Sequence, residues 1–255
     1  MLPRLLSFYL WIAPLMFAPL WLIYHRVGLG AGIAGGVVHL LLTAGGMWAQ
    51  GMFRRTELPT AYGLTRFLLT TGGAIVWMLG PSGPPRRHDG IMSFYNNGGL
   101  LAGAFVVLLG LTALKTDLQK HEKGALAAVG QAAIAAWFGI WVIESFQIWV
   151  ILSAPAVGLP VAQWPDWLVA EQIVWENIDI LRMVTAYVGG AAFVSAVMLT
   201  GRIARWAGWL MLAFSIAGIV SGITQAMPFF IPAVTCLVPY YLGLAVRRSG
   251  QERSS

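Results

Sequence analysis

Glu144 is the residue whose position most invites chemistry. It lies within the apolar run Gly124–Ser153, about nine residues from the end of that run, or roughly 14 Å at 1.5 Å per residue of helix. A carboxyl group is costly in hydrocarbon, so an intramembrane acid marks a functional site. Helical spacing puts Trp137, Trp141, Glu144 and Ile148 on one stripe, with Gln147 beside it. An acid among indoles suits three tasks: carrying a proton, acting as a general acid, or holding a lipophilic cation against aromatic faces. The competing reading is a hydrogen bond from Glu144 to a neighbouring helix that only fixes packing.

A second group, Glu171, Trp175, Asp179 and Arg182, recurs at spacings of four, four and three, and so shares a face if the segment is helical. Arg182 could pair with Asp179 or reach Glu144, and His39 is the other candidate partner for that acid. Glu176 and Asn177 point elsewhere. A ligand site is therefore expected from Trp137, Trp141, Glu144, Gln147, Trp175 and Arg182. If the protein is an enzyme, it acts on a lipid or isoprenoid substrate, with Glu144 as general acid, Asp179 or Glu176 as second carboxylate, and the indoles shielding a carbocation. In a third reading the chain is an accessory subunit whose polar residues pack against partners.

Other chemistries lack their residues. The histidines are His25, His39, His88 and His121, and only His39 falls inside a span, so no haem pair and no metal-binding spacing arises. A single cysteine, Cys236, builds neither a disulfide framework nor a thiolate site within one chain. No metal or cofactor is expected. The glycine clusters at 28–36, 45–46, 72–73, 98–99 and 189–190 lie in apolar runs and read as close helix packing rather than phosphate loops. The net charge of +6 comes from basic residues scattered singly or in pairs, which argues against a nucleic-acid partner. Membrane lipid and a lipophilic small molecule are the expected partners.

The elements that must position these residues are membrane helices. Hydrophobic residues make up 58% of the chain and charged ones 10%, with a mean hydropathy of +0.73, more than a water-facing surface can accommodate. Apolar runs of spanning length occur at Leu5–Tyr24, Ala31–Phe53, Leu64–Leu79, Gly98–Leu114, Gly124–Ser153, Leu181–Thr200, Trp206–Ala226 and Phe229–Val246. The first reads as a span, not a signal peptide. The expectation is an all-α bundle of eight transmembrane helices, or seven if Met227-Pro228 only breaks one long helix. An N-terminus in the cytoplasm puts twelve Lys and Arg residues inside and leaves only Arg26, Arg86, Arg87 and Arg182 outside, which also requires a cytoplasmic C-terminus. The segment Ala154–Ile180 is then an outer interfacial connection rich in Trp and acid, with a short helix starting at Asp166, which caps it. A similarity between Gly98–Ala136 and Val188–Ser221 fits either an internal repeat or two ordinary hairpins.

Phe94-Tyr95-Asn96-Asn97-Gly98-Gly99-Leu100, entering a span, resembles a motif of a bacterial multi-pass membrane family carried as a domain of unknown function. The basic turn Gly201-Arg202-Ile203-Ala204-Arg205-Trp206-Ala207-Gly208-Trp209 is similar to one in the same kind of protein. The resemblance covers about a third of the chain. It implies a fold type and a bacterial inner membrane, and it assigns no activity and no functional residue.

Overall fold

In hydrocarbon the backbone must satisfy its own polar groups, and a long apolar run does so by becoming a helix. The computed structural model describes residues 1–16, 19, 29–79, 90–119, 124–154, 159–224 and 235–247, and among these it contains helices and no strand. The helices are α1 (Leu2–Ile12, continued by a 3-10 turn at Ala13–Met16), α2 (Leu29–Ala49), α3 (Ala61–Leu79), α4 (Gly90–Leu118), α5 (Gly124–Ser153), α6 (Asp166–Leu199), α7 (Arg205–Thr224) and α8 (Leu237–Ala245). Four stretches are long and apolar enough to cross a membrane: Gly98–Leu118 in α4, Gly124–Gln147 in α5, all of α6, and α7. The chain is thus an all-helical membrane protein. Met227-Pro228, the Gly80–Pro85 turn and His25, His88 and His121 lie outside the described residues.

The segment before the sixth apolar run differs from its expected form. The helix beginning at Asp166 does not stop before the span but continues unbroken for 34 residues, roughly 50 Å at 1.5 Å per residue, against a hydrocarbon core of roughly 30 Å. Its first turns, with Asp166, Trp167 and Glu176 exposed, extend beyond the apolar layer. Asp166 is not the cap. Pro165 takes the N-cap position in an extended conformation, and Asp166 sits in the first helical turn, where its charge complements the helix dipole.

Small residues set the helix register. A Cβ on Gly72 of α3 would stand 2.7 Å from the Gly103 carbonyl oxygen and the Val107 amide nitrogen of α4, while Gly110 faces Leu69, so these helices run antiparallel in near backbone contact. Gly130 of α5 meets Phe193 and Gly189 of α6, and Gly189 in turn meets Ile134. The long core between α3 and α8 includes Leu69, Val107, Leu111, Trp137, Trp141, Phe193 and Val197. A separate cluster of Leu10, Ala13, Met47, Met52, Tyr240 and Leu244 seats α1 and α2 on α8. There the Tyr240 hydroxyl donates to the Leu10 carbonyl at 2.7 Å, and the Tyr241 hydroxyl to Trp11 at 2.9 Å.

One end of the bundle gathers both ends of the described chain. Gln50 donates to the Ser7 hydroxyl at 3.2 Å and accepts from Arg66 at 2.8 Å, linking the starts of α1 and α3 to the end of α2. The Arg247 amide donates to the Arg202 carbonyl at 2.8 Å, bringing the end of α8 to the α6–α7 turn. Both α2 and α6 finish here in the same way. Gly51 (φ 73°) and Gly201 (φ 68°) adopt the left-handed conformation, and the next residue's amide donates back to the helix, Met52 to Met47 and Arg202 to Val197.

Gly72→Val should force α3 from α4 and lower stability by about 1–3 kcal/mol, as overpacking of a close contact does. Gly139→Ala, at a position with nothing within 4 Å, should leave it unchanged. Thermal unfolding in detergent compares the two, and equal melting temperatures would refute the close α3–α4 contact.

Candidate functional site

The α5–α6 contact that begins at Gly130 and Gly189 continues to Glu144 on one helix and to Trp175, Asp179 and Arg182 on the other. The two sequence groups therefore form one cluster. Glu144 is 3% exposed and Arg182 1%, both too deep for bulk water to solvate. The Arg182 guanidinium meets them both: its Nε pairs with Glu144 Oε2, and its Nη2 donates to Asp179 Oδ1 one helical turn away. The Trp175 indole donates to the other Glu144 oxygen at 3.2 Å. The Arg182 carbon Cζ lies 5.2 Å from the Trp141 ring centre, within cation–π range, and Trp137 stands 5.3 Å from Trp141 behind it.

The stripe read from helical spacing is real for Trp137, Trp141 and Glu144, all buried. Gln147 is half-buried beside it, and the side chains of Ile148 and Trp149 lie outside the described residues. Glu176 belongs elsewhere: it is exposed and accepts a hydrogen bond from Gln172 at 2.9 Å. Asp179 shares its arginine with Glu144, so the two carboxylates meet through a guanidinium and not through a reacting atom. His39 is not a partner of Glu144: its Nδ1 meets the Tyr9 hydroxyl at 2.7 Å, and its Nε2 has no hydrogen-bond partner among the described residues. The Asp179–Arg182 pair is sheltered, since the arginine is among the largest fully buried side chains.

Besides Arg182 Nε and Glu144 Oε2, which meet as an ion pair, three polar atoms at or beside the cluster are buried without a hydrogen-bond partner among the described residues: Arg182 Nη1, Trp137 Nε1 and Gln147 Oε1. With its three groups ionised, the cluster carries two negative charges against one positive. It can accept a cation at the carboxylate side and an acceptor group at the free guanidinium nitrogen. Among the described residues no group of three or more His, Cys, Asp or Glu could hold a metal ion.

A second buried pair was missed. Asp117, in the last turn of α4, pairs with Arg202 of the α6–α7 turn, and the two are 4% and 2% exposed. Arg202 also donates from Nε to the Arg247 carbonyl at 3.1 Å. The charge bias puts Arg202 on the cytoplasmic side, and its place after Gly201 turns its side chain back into the bundle. The signal available in the sequence was the acid itself: an anion at a helix C-terminus opposes the dipole and needs a cation nearby.

Compared with known proteins, the chain matches no family model, no curated protein and no solved structure.

Removing one partner of a buried ion pair costs about 3–5 kcal/mol, because the other charge stays buried and unpaired. Arg182→Gln, which leaves two facing carboxylates, should therefore lower the melting temperature of the detergent-solubilised protein far more than Glu176→Gln. Comparable effects of the two would contradict the geometry.

Proposed function

We propose that the chain binds or transports a lipophilic or cationic small molecule at the Glu144–Asp179–Arg182 cluster, with Trp137, Trp141 and Trp175 as its aromatic surround. The observation that carries this reading is that two carboxylates share one buried guanidinium between two helices of spanning length. An uncompensated negative charge in hydrocarbon calls for a cation or a proton. Asp179, whose side chain is 13% exposed, is the acid that an incoming cation reaches first, while Glu144 stays on Arg182 and Trp175. Indole faces favour cations that have shed their water.

The reading extends to topology. We place eight spans in a bacterial inner membrane with both termini in the cytoplasm. The gathering of Ser7, Gln50, Arg66, Arg202 and Arg247 at one end of the bundle supports this, as does the bias of basic residues. The bias survives when the buried Arg182 and Arg202 are set aside. The cluster then faces the outer leaflet, and the acidic first turns of α6 form its approach.

Purified protein in lipid nanodiscs should bind tetraphenylphosphonium, read by calorimetry, and the binding should weaken as pH falls and protons compete. Asp179→Asn should weaken it about tenfold, the effect of losing about 1.4 kcal/mol of charge attraction, whereas Glu176→Gln should not. Unchanged affinity in Asp179→Asn and Glu144→Gln, both still folded, would dismiss the site. For topology, single cysteines placed at Ser7 and Arg205 in a Cys236→Ala background should resist an impermeant maleimide added to intact cells, and one at Glu176 should react. Labelling at Ser7 or Arg205 would reverse the orientation.

A further inference from the structure

An opening that shares no residue with the ion cluster lies at the end of the bundle where α2 finishes. It is a cleft of about 340 Å³ lined by Pro3, Trp48, Ala49, Gly51, Phe53 and Arg54, within the size range of small-molecule sites. We propose that this cleft holds the headgroup of an anionic phospholipid.

Its construction starts at Gly51. The positive φ reverses the chain after α2, and the missing side chain lets Arg54 fold back: a Cβ there would stand 2.9 Å from Arg54 Nε. The exposed guanidinium thus lies over the turn, open to a ligand in the cleft. Two carbonyls of the last α2 turn are already engaged, Trp48 by the Gly51 amide at 2.9 Å and Met47 by the Met52 amide at 3.0 Å. No acidic residue lines the cleft. Arg4 and Arg55, both exposed, add positive charge beside it.

The walls suit a lipid better than a free anion. Trp48 is 64% exposed and Phe53 41%, and both sit where the apolar run of α2 gives way to arginines, the depth at which aromatic rings meet headgroups. A phosphodiester on Arg54 would place its glycerol and first methylenes against these rings. Arginine provides two parallel donors for a phosphate, which a dispersed basic surface does not. The inference is independent of the ion cluster and of which leaflet the cleft faces.

Native mass spectrometry of the full chain released from detergent, titrated with phosphatidylglycerol or phosphatidylcholine, tests it. The wild type should prefer phosphatidylglycerol. Arg54→Gln should reduce that binding about fivefold or more, the effect of one arginine at a charged lipid surface. Arg205→Gln, an exposed base at the same end, should not. Equal retention of phosphatidylglycerol by Arg54→Gln, an equal loss in Arg205→Gln, or no preference over phosphatidylcholine would overturn the proposal. So would binding of glycerol 3-phosphate as tight as that of the lipid, since the aromatic walls would then contribute nothing.

Discussion

Arg182 stays charged in any protein setting, and inside a bilayer a charge must be met by an opposite one at close range. That requirement constrains the bundle more tightly than any apolar contact does. Apolar side chains gain little by leaving lipid for one another, so hydrophobicity alone leaves membrane helices free to slide and turn. Arg182 removes that freedom from α5 and α6: only one rotation and one register bring Glu144 to its Nε while Asp179 holds its Nη2. The close approach at Gly130 and Gly189 fixes the same pair of helices roughly two to four turns away. Asp117 and Arg202 repeat the device at the other end of the bundle, where they tie α4 to the α6–α7 turn and, through Arg247, to the end of α8.

What constrains the fold also shapes its chemistry. A single Glu–Arg pair would be neutral and self-contained. Asp179 makes the cluster negative, and the indoles of Trp141 and Trp175 give its walls faces and donors that serve a cation and a carboxylate. The two carboxylates differ in exposure, 4% for the Glu144 side chain and 13% for Asp179, so one can change partners while the other keeps the helices together. The buried Nη1 of Arg182, without a partner among the described residues, remains a donor in want of an acceptor.

Much of this was legible from helical periodicity, because helical spacing is local information. The stripe of Trp137, Trp141 and Glu144 follows from positions within one apolar run, and the shared face of Trp175, Asp179 and Arg182 from another. The length of α6 was obscured because Asp166, Glu171, Glu176 and Asp179 break the hydropathy that marks a span, yet none of them breaks a helix. Asp117 and Arg202 are 85 residues apart, and nothing local says they meet. His39 shows the same limit in reverse. Its partner, Tyr9, lies 30 residues earlier, and no local pattern links the two.

The central claim is that Glu144 and Arg182 act as one unit, and a double-mutant cycle measures it directly. Unfolding free energies of the wild type, Glu144→Gln, Arg182→Gln and the double variant in detergent should give a coupling above about 1 kcal/mol, the range found for residues in one ion-pair network. The double variant should then be less impaired than the sum of the singles. Additive effects would mean that the two side chains do not sense each other, and the account built on their contact would fail.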